Sequence, residues 1–209
     1  MKNKGKYSAT SIVEAMIVML IIVTGVTGMY KLLSESNKLT VSVKNKIQAV
    51  QIARQGIEGF TNIRDTNWIL FSSDYANCWN TYNYDSDCIG NDLEDTDIKS
   101  TDTYKIYLNN ENRWELKEDT GVTTFNYSDN DYRNFFKVGL DNGIFTQSGG
   151  TVDTKPLYTR EIKVEYPNTG SSNESSLKIT SVVQWSDSSS TVPYKLEIEQ
   201  TLTNWKSKK

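Results

Sequence analysis

The feature that most constrains this chain is an unbroken helical pattern in its N-terminal part. No proline occurs before Pro156, and residues 12–30 are uncharged apart from one carboxylate, Glu14. As an α-helix these residues span about 28 Å, which is close to the hydrocarbon thickness of a bilayer. We therefore predict a membrane-spanning helix over residues 10–30, with an acid close to its beginning.

The helical pattern continues past Tyr30, but on one face only. Apolar side chains recur at steps of three, four or seven residues, the spacing of one stripe along a helix. The stripe consists of Leu32, Leu39, Val43, Ile47, Val50, Ala53, Ile57 and Phe60. We expect the helix to end near Phe60, so that residues 31–62 form an amphipathic half whose stripe packs against the chain's own C-terminal domain.

The C-terminal part has the alternating pattern of half-buried strands. Three alternating stretches lie at residues 157–166, 177–185 and 194–202 and predict an antiparallel meander. Residues 104–108 and 113–117 flank a polar turn and predict a further hairpin. Residues 63–209 are thus expected to form a β-rich globular head. With the amphipathic part of the helix covering its antiparallel sheet, the predicted fold class is α+β.

Composition argues against several classes of function. The chain has no histidine, which removes the commonest general base and metal ligand. Its net charge is −3, and without Lys2, Lys4 and Lys6 it has 20 cations against 26 anions. An acidic body argues against a broad nucleic-acid surface. We therefore expect no enzymatic activity, no cofactor, no metal site and no direct nucleic-acid site.

Lys2, Lys4 and Lys6 precede Ala9 and Thr10, and Glu14 follows at the start of the apolar run. This arrangement resembles the type IV prepilin and type II secretion pseudopilin family. Members of this family have a short basic leader, a small residue before a cleavage point, and a glutamate at the fifth position of an apolar mature helix. Here residues 1–9 match the basic leader, Ala9 is the small residue, Thr10 begins the mature chain and Glu14 is its fifth residue. The resemblance covers about the first 50 residues.

The resemblance implies processing and assembly steps as well as a fold. It implies cleavage after Ala9 by a prepilin peptidase, N-methylation of Thr10, and assembly with other pilin or pseudopilin subunits on an inner-membrane platform. Many major pilins have a proline shortly past mid-span, and its absence here favours a minor pilin or pseudopilin. The lysines before the span indicate that the head faces outward. The expected protein is a single-pass cytoplasmic membrane protein that becomes part of an extracellular or periplasmic filament.

Two other segments resemble minor pilin-like proteins at the level of pattern. Residues 53–68 resemble the junction between their helix and head, and residues 201–205 resemble their final strand. The pilin interpretation is therefore not confined to the leader and the membrane span.

Glu14 has two interpretations, because a carboxylate at the centre of a bilayer costs about 2.5–3.5 kcal/mol. The resemblance implies that Glu14 pairs with the new amine of Thr10 on a neighbouring subunit, which would fix the axial register of a filament. Alternatively, Glu14 lies near the headgroups and is tolerated there by snorkelling or protonation. In that case the chain could be an uncleaved single-span surface protein with an outward β-rich binding domain.

Gly25 and Gly28 have three interpretations. Small residues three apart let neighbouring helices approach closely. Each glycine also costs about 1 kcal/mol relative to alanine, which could permit local unwinding in a filament. The third interpretation is the ordinary use of glycine in membrane helices.

The only cysteines, Cys78 and Cys88, lie in a polar loop. An outward location permits a disulfide between them, and the alternative is a pair of free thiols. Acidic residues around this loop could ligate calcium, but without EF-hand spacing a solvated polar loop is the simpler interpretation. These acids are Asp85, Asp87, Asp92, Glu94, Asp95, Asp97 and Asp102.

Overall fold

The N-terminal helix is longer than its sequence pattern predicts. The structure, a computed structural model, describes residues 12–90, 97–99, 102–119, 121–141, 143–148, 157–168, 175–187 and 192–207. Helix α1 runs over Ile12–Leu70 and so continues beyond the predicted end near Phe60. Ile63, Asn67 and Trp68 are buried at helical spacing along this extension. The sequence pattern had assigned the residues from 63 onward to the β-rich head.

The chain divides into two compact units. The described part of the first unit, Met1–Lys44, is entirely helical, and nearly all of its side chains are exposed. The second unit, Asn45–Lys209, contains the last part of α1 together with the sheet, and it is called the head below. The head thus includes a stretch of helix that the sequence pattern assigned to the amphipathic half.

The described part of the head contains seven strands and one further helix. The strands are β1 (Thr103–Leu108), β2 (Trp114–Glu118), β3 (Lys137–Asp141), β4 (Ile144–Thr146), β5 (Tyr158–Glu165), β6 (Ser176–Trp185) and β7 (Tyr194–Thr203). Helix α2 is Asn130–Phe136, and short 3₁₀ turns lie at Tyr82–Tyr84, Ser86–Cys88 and Trp205–Ser207.

The strands form one antiparallel sheet with β5 at its centre. Strand β6 pairs along the whole of one edge of β5, and β7 pairs with β6, which confirms the predicted meander. The predicted hairpin is confirmed as β1 and β2. The other edge of β5 is shared, since β3 pairs at Tyr158 and Thr159 while β1 pairs at Ile162 and Lys163. Arg160 and Glu161 therefore lie at a gap between β1 and β3.

The core lies between α1 and the sheet, which confirms the predicted α+β architecture. One cluster joins Ala49, Ile52 and Ala53 of α1 to Val138, Tyr158, Val183 and Trp185 of the sheet. A larger cluster joins Ile57, Phe60, Ile63 and Trp68 to residues that include Ile106, Leu116, Ile162, Val164 and Ile179. Burial of this apolar surface is the main stabilising contribution to the head.

The predicted stripe on α1 is only partly buried. Ala53, Ile57 and Phe60 belong to the core, as expected. The earlier members of the stripe, however, are exposed: Leu32, Leu39, Val43 and Ile47. Within the head, the buried face of α1 begins at Asn45 and Ala49, and the later members of the stripe continue it.

Two glycines let α1 lie close to the sheet. A Cβ added at Gly56 would come within 2.9 Å of Ile162 Cδ1 and Ser181 Oγ. A Cβ added at Gly59 would come within 2.9 Å of Ile106 Cδ1 and of the Trp114 ring. Since real Cβ atoms do not approach other atoms so closely, any larger residue at either position would push helix and sheet apart.

Candidate functional site

The first candidate site is the exposed N-terminal part of α1. This helix is long and apolar enough, by length and composition, to cross a membrane. Its large apolar side chains are exposed from Ile12 onward, which is the surface expected of a segment that meets lipid or other helices. The coarse prediction of a single membrane-spanning helix near the N-terminus thus agrees with the structure.

Glu14 lies in the first turn of the described part of α1 and is exposed. It is the only charged residue before Lys31 in this part of the helix. The predicted cleavage site, Ala9 and Thr10, and the whole basic leader lie outside the described residues. Glu14 is therefore the one predicted processing or assembly residue whose surroundings are defined.

Gly25 and Gly28 lie within α1, which is assigned as helical throughout. A Cβ added at either residue would meet nothing within 4 Å. The hydroxyls of Thr24 and Thr27 beside them donate to main-chain oxygens one turn earlier, at 2.9 and 2.8 Å. The polar groups of this stretch are thus satisfied within the helix, and its small-residue face is open to another helix.

Two segments noted in the sequence, residues 53–68 and 201–205, meet in the head. Trp68 Nε1 donates to Asn204 Oδ1 at 3.3 Å, and the Trp68 and Trp205 rings are edge to face with centroids 5.3 Å apart. The Lys206 ammonium lies 4.9 Å from the centroid of the Trp68 ring, within cation–π range. The end of α1 and the end of β7 are therefore joined by specific contacts.

The least expected residue of the head is Arg160 on β5. Its side chain is fully buried, and none of the described carboxylates forms an ion pair with it. Burial lowers the pKa of the Arg160 guanidinium to about 9, so the group remains charged at pH 7. A buried charge without a counterion is costly unless all its donors are hydrogen-bonded.

Neutral oxygens from three parts of the head accept four hydrogen bonds from Arg160. Nη1 donates to the main-chain oxygen of Ile52 at 3.2 Å and to Gln55 Oε1 at 3.1 Å, both on α1. Nη2 donates to the main-chain oxygen of Ile106 at 2.8 Å on β1, and Nε donates to Gln147 Oε1 at 3.0 Å. Arg160 thus joins helix, central strand and neighbouring strand at the gap in the sheet.

The buried side chain of Gln147 fills the gap between β1 and β3. Its Nε2 donates to the main-chain oxygens of Phe136 and Arg160, at 2.9 and 2.7 Å. Its Oε1 accepts from the main-chain nitrogen of Ile106 at 3.2 Å as well as from Arg160. A side-chain amide here supplies the hydrogen bonds that a strand would otherwise provide.

Glu161, the next residue on β5, is also buried but lies on the opposite face of the sheet from α1. Burial raises the pKa of its carboxyl, and Lys163, whose Nζ is 3.3 Å from Oε1, partly offsets this rise. Helix α2 covers this face, where Gln184 Nε2 donates to the Tyr132 hydroxyl at 2.9 Å. A guanidinium and a carboxyl group are therefore buried back to back on adjacent residues.

Sequence reasoning did not identify Arg160, Gln147 or Glu161. One signal was present, because Arg160 lies in phase with Tyr158, Ile162 and Val164, which all face the core. A cation at an inward position of an otherwise apolar alternation indicates a buried polar network.

The predicted disulfide is present. Cys78 and Cys88 are bonded, with their Cα atoms 5.3 Å apart, and both are buried. They pack with Phe71, just beyond the end of α1, and with Tyr84. The Tyr84 hydroxyl is close to the main-chain oxygen of Trp114 and donates to it, so the bridged loop is held against β2. The bridge is thus part of the packing between the end of α1 and the sheet.

The acidic loop gives no metal centre among the residues the structure describes. Those residues contain no group of three or more carboxylates or thiols placed to hold a metal ion. Asp85 accepts from the main-chain nitrogen of Asp87 at 3.0 Å and so caps the turn at Ser86–Cys88. Asp92, Glu94 and Asp95 lie outside the described residues.

Comparison of the chain with known proteins finds no matching family model, no matching curated protein and no matching solved structure. The functional argument for this chain therefore rests on its own residues.

Proposed function

We propose that this chain is a minor pilin or pseudopilin, a structural subunit of a type IV pilus or a type II secretion pseudopilus. In this proposal it enters the cytoplasmic membrane with its head outward, because Lys2, Lys4 and Lys6 remain on the cytoplasmic side. Prepilin peptidase cleaves it after Ala9, Thr10 is N-methylated, and the assembly platform inserts it into a filament. Its role is structural, not enzymatic.

The observation that carries the proposal is the length of the exposed apolar surface on α1. A membrane anchor needs about 20 apolar residues, which residues 12–30 nearly supply. Exposed apolar side chains nevertheless continue past the span at Leu32, Leu39, Val41, Val43 and Ile47. The distance from Tyr30 to Ile47 is about 25 Å along a helix. An anchor has no use for this extra apolar surface, whereas helices packed side by side in a filament would bury it.

Glu14 supports the same proposal. In a lone anchor an exposed carboxylate near the start of the span has no role and a desolvation cost. In a filament, cleavage after Ala9 would create an amine four residues away in sequence, and the amine of one subunit could pair with Glu14 of the next. Pairing would offset the desolvation of both charges and favour one axial step, since buried polar pairs can specify register.

The experiment that tests the proposal is N-terminal mass spectrometry of the chain expressed with a prepilin peptidase and an assembly system. We expect membrane and filament fractions to contain a chain that begins at Thr10 and carries an N-methyl group. A catalytically inactive peptidase is the control and should leave Met1 in place. A chain that still begins at Met1 beside the active peptidase would overturn the proposal.

A matched pair of variants tests the role of Glu14. Glu14→Gln should insert into the membrane normally but appear in filaments at a small fraction of the wild-type amount. Glu35→Gln removes one negative charge from the same helix, at an exposed residue whose ion pair with Lys38 contributes little. It should assemble like the wild type. Normal assembly of Glu14→Gln would refute the pairing.

The second candidate function is an uncleaved surface protein with an outward binding domain. The membrane span supports this function equally well, and no cleavage site is needed for it. In the mass-spectrometry experiment, this function predicts a chain that still begins at Met1 beside the active peptidase.

A further inference from the structure

Three lysines from three strands surround one cavity in the head. The cavity has a volume of about 480 Å³ and is lined by Lys105 of β1, Lys117 of β2 and Lys137 of β3. It lies on the face of the sheet opposite α1, because the strand neighbours Ile106, Leu116 and Val138 of these lysines point into the core. Helix α2 contributes Asn134 and Phe135 to its wall.

The charges of this cavity are unbalanced. Among the residues the structure describes, Glu115 is the only carboxylate that lines it, and its two oxygens bond to neutral groups. Its Oε2 accepts from the Tyr107 hydroxyl at 3.0 Å, and its Oε1 accepts from Asn109 Nδ2 at 2.7 Å. Within the described part of the chain, none of the three lysines forms an ion pair. Three cations thus line a cavity in which the one described acid is already hydrogen-bonded to neutral groups.

Lys105 is affected most by this arrangement. Its side chain is half-buried, and its ammonium lies 4.9 Å from the centroid of the Phe135 ring. Burial lowers the pKa of Lys105, and the positive charges of Lys117 and Lys137 lower it further. Like charges that repel one another in a partly desolvated cavity are stabilised when an anion enters.

The rest of the lining suits a small polar molecule. The side chains of Asn110, Asn134 and Ser148 are exposed in the cavity wall and can donate or accept hydrogen bonds. Leu108 and Phe135 supply apolar contact. The volume lies within the range of about 300–1,000 Å³ that is usual for small-molecule sites.

We propose that this cavity binds a small hydroxylated molecule that carries a carboxylate or a phosphate group. The three ammonium groups hold the anion, and the amides and Ser148 hold the hydroxyl groups. The site is independent of membrane insertion and assembly, so it stands whether or not the chain forms filaments.

Isothermal titration calorimetry of the full chain in an uncharged detergent tests the proposal with three sugars that have the same ring size. Glucuronate carries a carboxylate, glucose 6-phosphate carries a phosphate, and glucose carries no charge. We expect at least one charged probe to bind and glucose not to bind, and the tighter charged probe identifies the preferred anion. Raising the salt concentration should weaken this binding. No binding of either charged probe, or equal binding of glucose, would overturn the proposal.

Lysine variants locate the binding. Lys105→Gln and Lys137→Gln should each weaken the charged probe about tenfold, the usual loss for one charge-assisted hydrogen bond. Lys195→Gln makes the same change of net charge at an exposed residue that pairs with Glu197 outside the cavity, and it should bind like the wild type. Unaltered unfolding transitions of all three variants would show that the fold is retained. Unchanged affinity in both cavity variants, or an equal loss in Lys195→Gln, would refute the assignment.

Discussion

The guanidinium of Arg160 donates to the main-chain oxygen of Ile52 at 3.2 Å and so fastens the centre of β5 to α1. This contact joins residues 108 positions apart in sequence. Because the same side chain also donates to Ile106 on β1, one residue fixes both the helix and the strand beside the gap in the sheet. Within the head, the position of the last part of α1 on the sheet thus depends on a buried cation as well as on apolar packing.

Replacing Arg160 by methionine should destabilise the head severely. Methionine keeps much of the apolar stem but leaves the oxygens of Ile106 and Gln147 buried without this donor, and we expect a loss of about 3 kcal/mol or more. Arg54→Met, at an exposed position on α1, is the control and should change stability by less than about 0.5 kcal/mol. Urea unfolding followed by tryptophan fluorescence measures both. Equal effects of the two variants would contradict this prediction.

Gly56→Ala should destabilise the head by about 1–3 kcal/mol, because the new methyl group would overlap Ile162 and Ser181. Gly25→Ala places the same methyl group where nothing lies within 4 Å and should leave unfolding of the head unchanged. Thermal unfolding by circular dichroism compares the two variants. If Gly56→Ala unfolds at the wild-type temperature, helix and sheet are not as close as described.

Glu161 should make stability fall as pH rises. Burial raises the pKa of its carboxyl in the folded state, so the folded chain holds this proton more tightly than the unfolded chain. The stability that Glu161 contributes is fully present below its unfolded pKa and is lost as pH rises through its folded pKa. The advantage of Glu161→Gln over the wild type should therefore grow with pH.

Glu197→Gln is the control for this pH dependence, because the pKa of Glu197 is shifted in the opposite direction. The hydrogen bond from Lys195 lowers the pKa of Glu197, so this carboxylate stabilises the fold above its unfolded pKa and loses that effect as pH falls. Its replacement should thus become slightly more harmful as pH rises. Urea unfolding from pH 4 to pH 8 compares both variants with the wild type, and parallel curves for all three would count against the assignment.

Breaking the Cys78–Cys88 bridge should cost about 2–3 kcal/mol, since a short closed loop restricts the unfolded chain. The double variant Cys78→Ser and Cys88→Ser should unfold at lower urea than the wild type. Dithiothreitol should destabilise the wild type by a similar amount and leave the double variant unaffected. If dithiothreitol also destabilised the double variant, its effect on the wild type could not be assigned to the Cys78–Cys88 bridge.

The regular parts of the head could be predicted because their patterns are local. Strands β5, β6 and β7 alternate clearly, and β1 and β2 flank a short polar turn. The region from Asn130 to Thr146 was missed although it carries signals of its own. Asp129 caps α2 by accepting from two main-chain nitrogens, and an Asn-Gly pair at residues 142–143 separates β3 from β4.

The polar network around Arg160 could not be predicted in full, for a different reason. Its acceptors are Ile52 and Gln55, one turn apart on α1, together with Ile106 and Gln147, and no sequence spacing connects these three places. The sequence showed only that Arg160 occupies a core-facing position in the alternation of β5. Long-range hydrogen bonds that close a gap in a sheet depend on the final arrangement of the strands, and the main-chain oxygens of Ile52 and Ile106 carry no side-chain pattern that marks them.

The last part of α1 belongs to the core of the head, and this decides where a soluble fragment for crystallography or NMR can begin. A fragment that starts a few residues before Asn45 keeps Ile52, Ile57 and Phe60 and should be monomeric and folded. A fragment that starts at residue 63 lacks all three and should precipitate, because the apolar face of the sheet would meet water. Light scattering would report whether each fragment is monomeric, and heteronuclear NMR spectra would report whether it is folded.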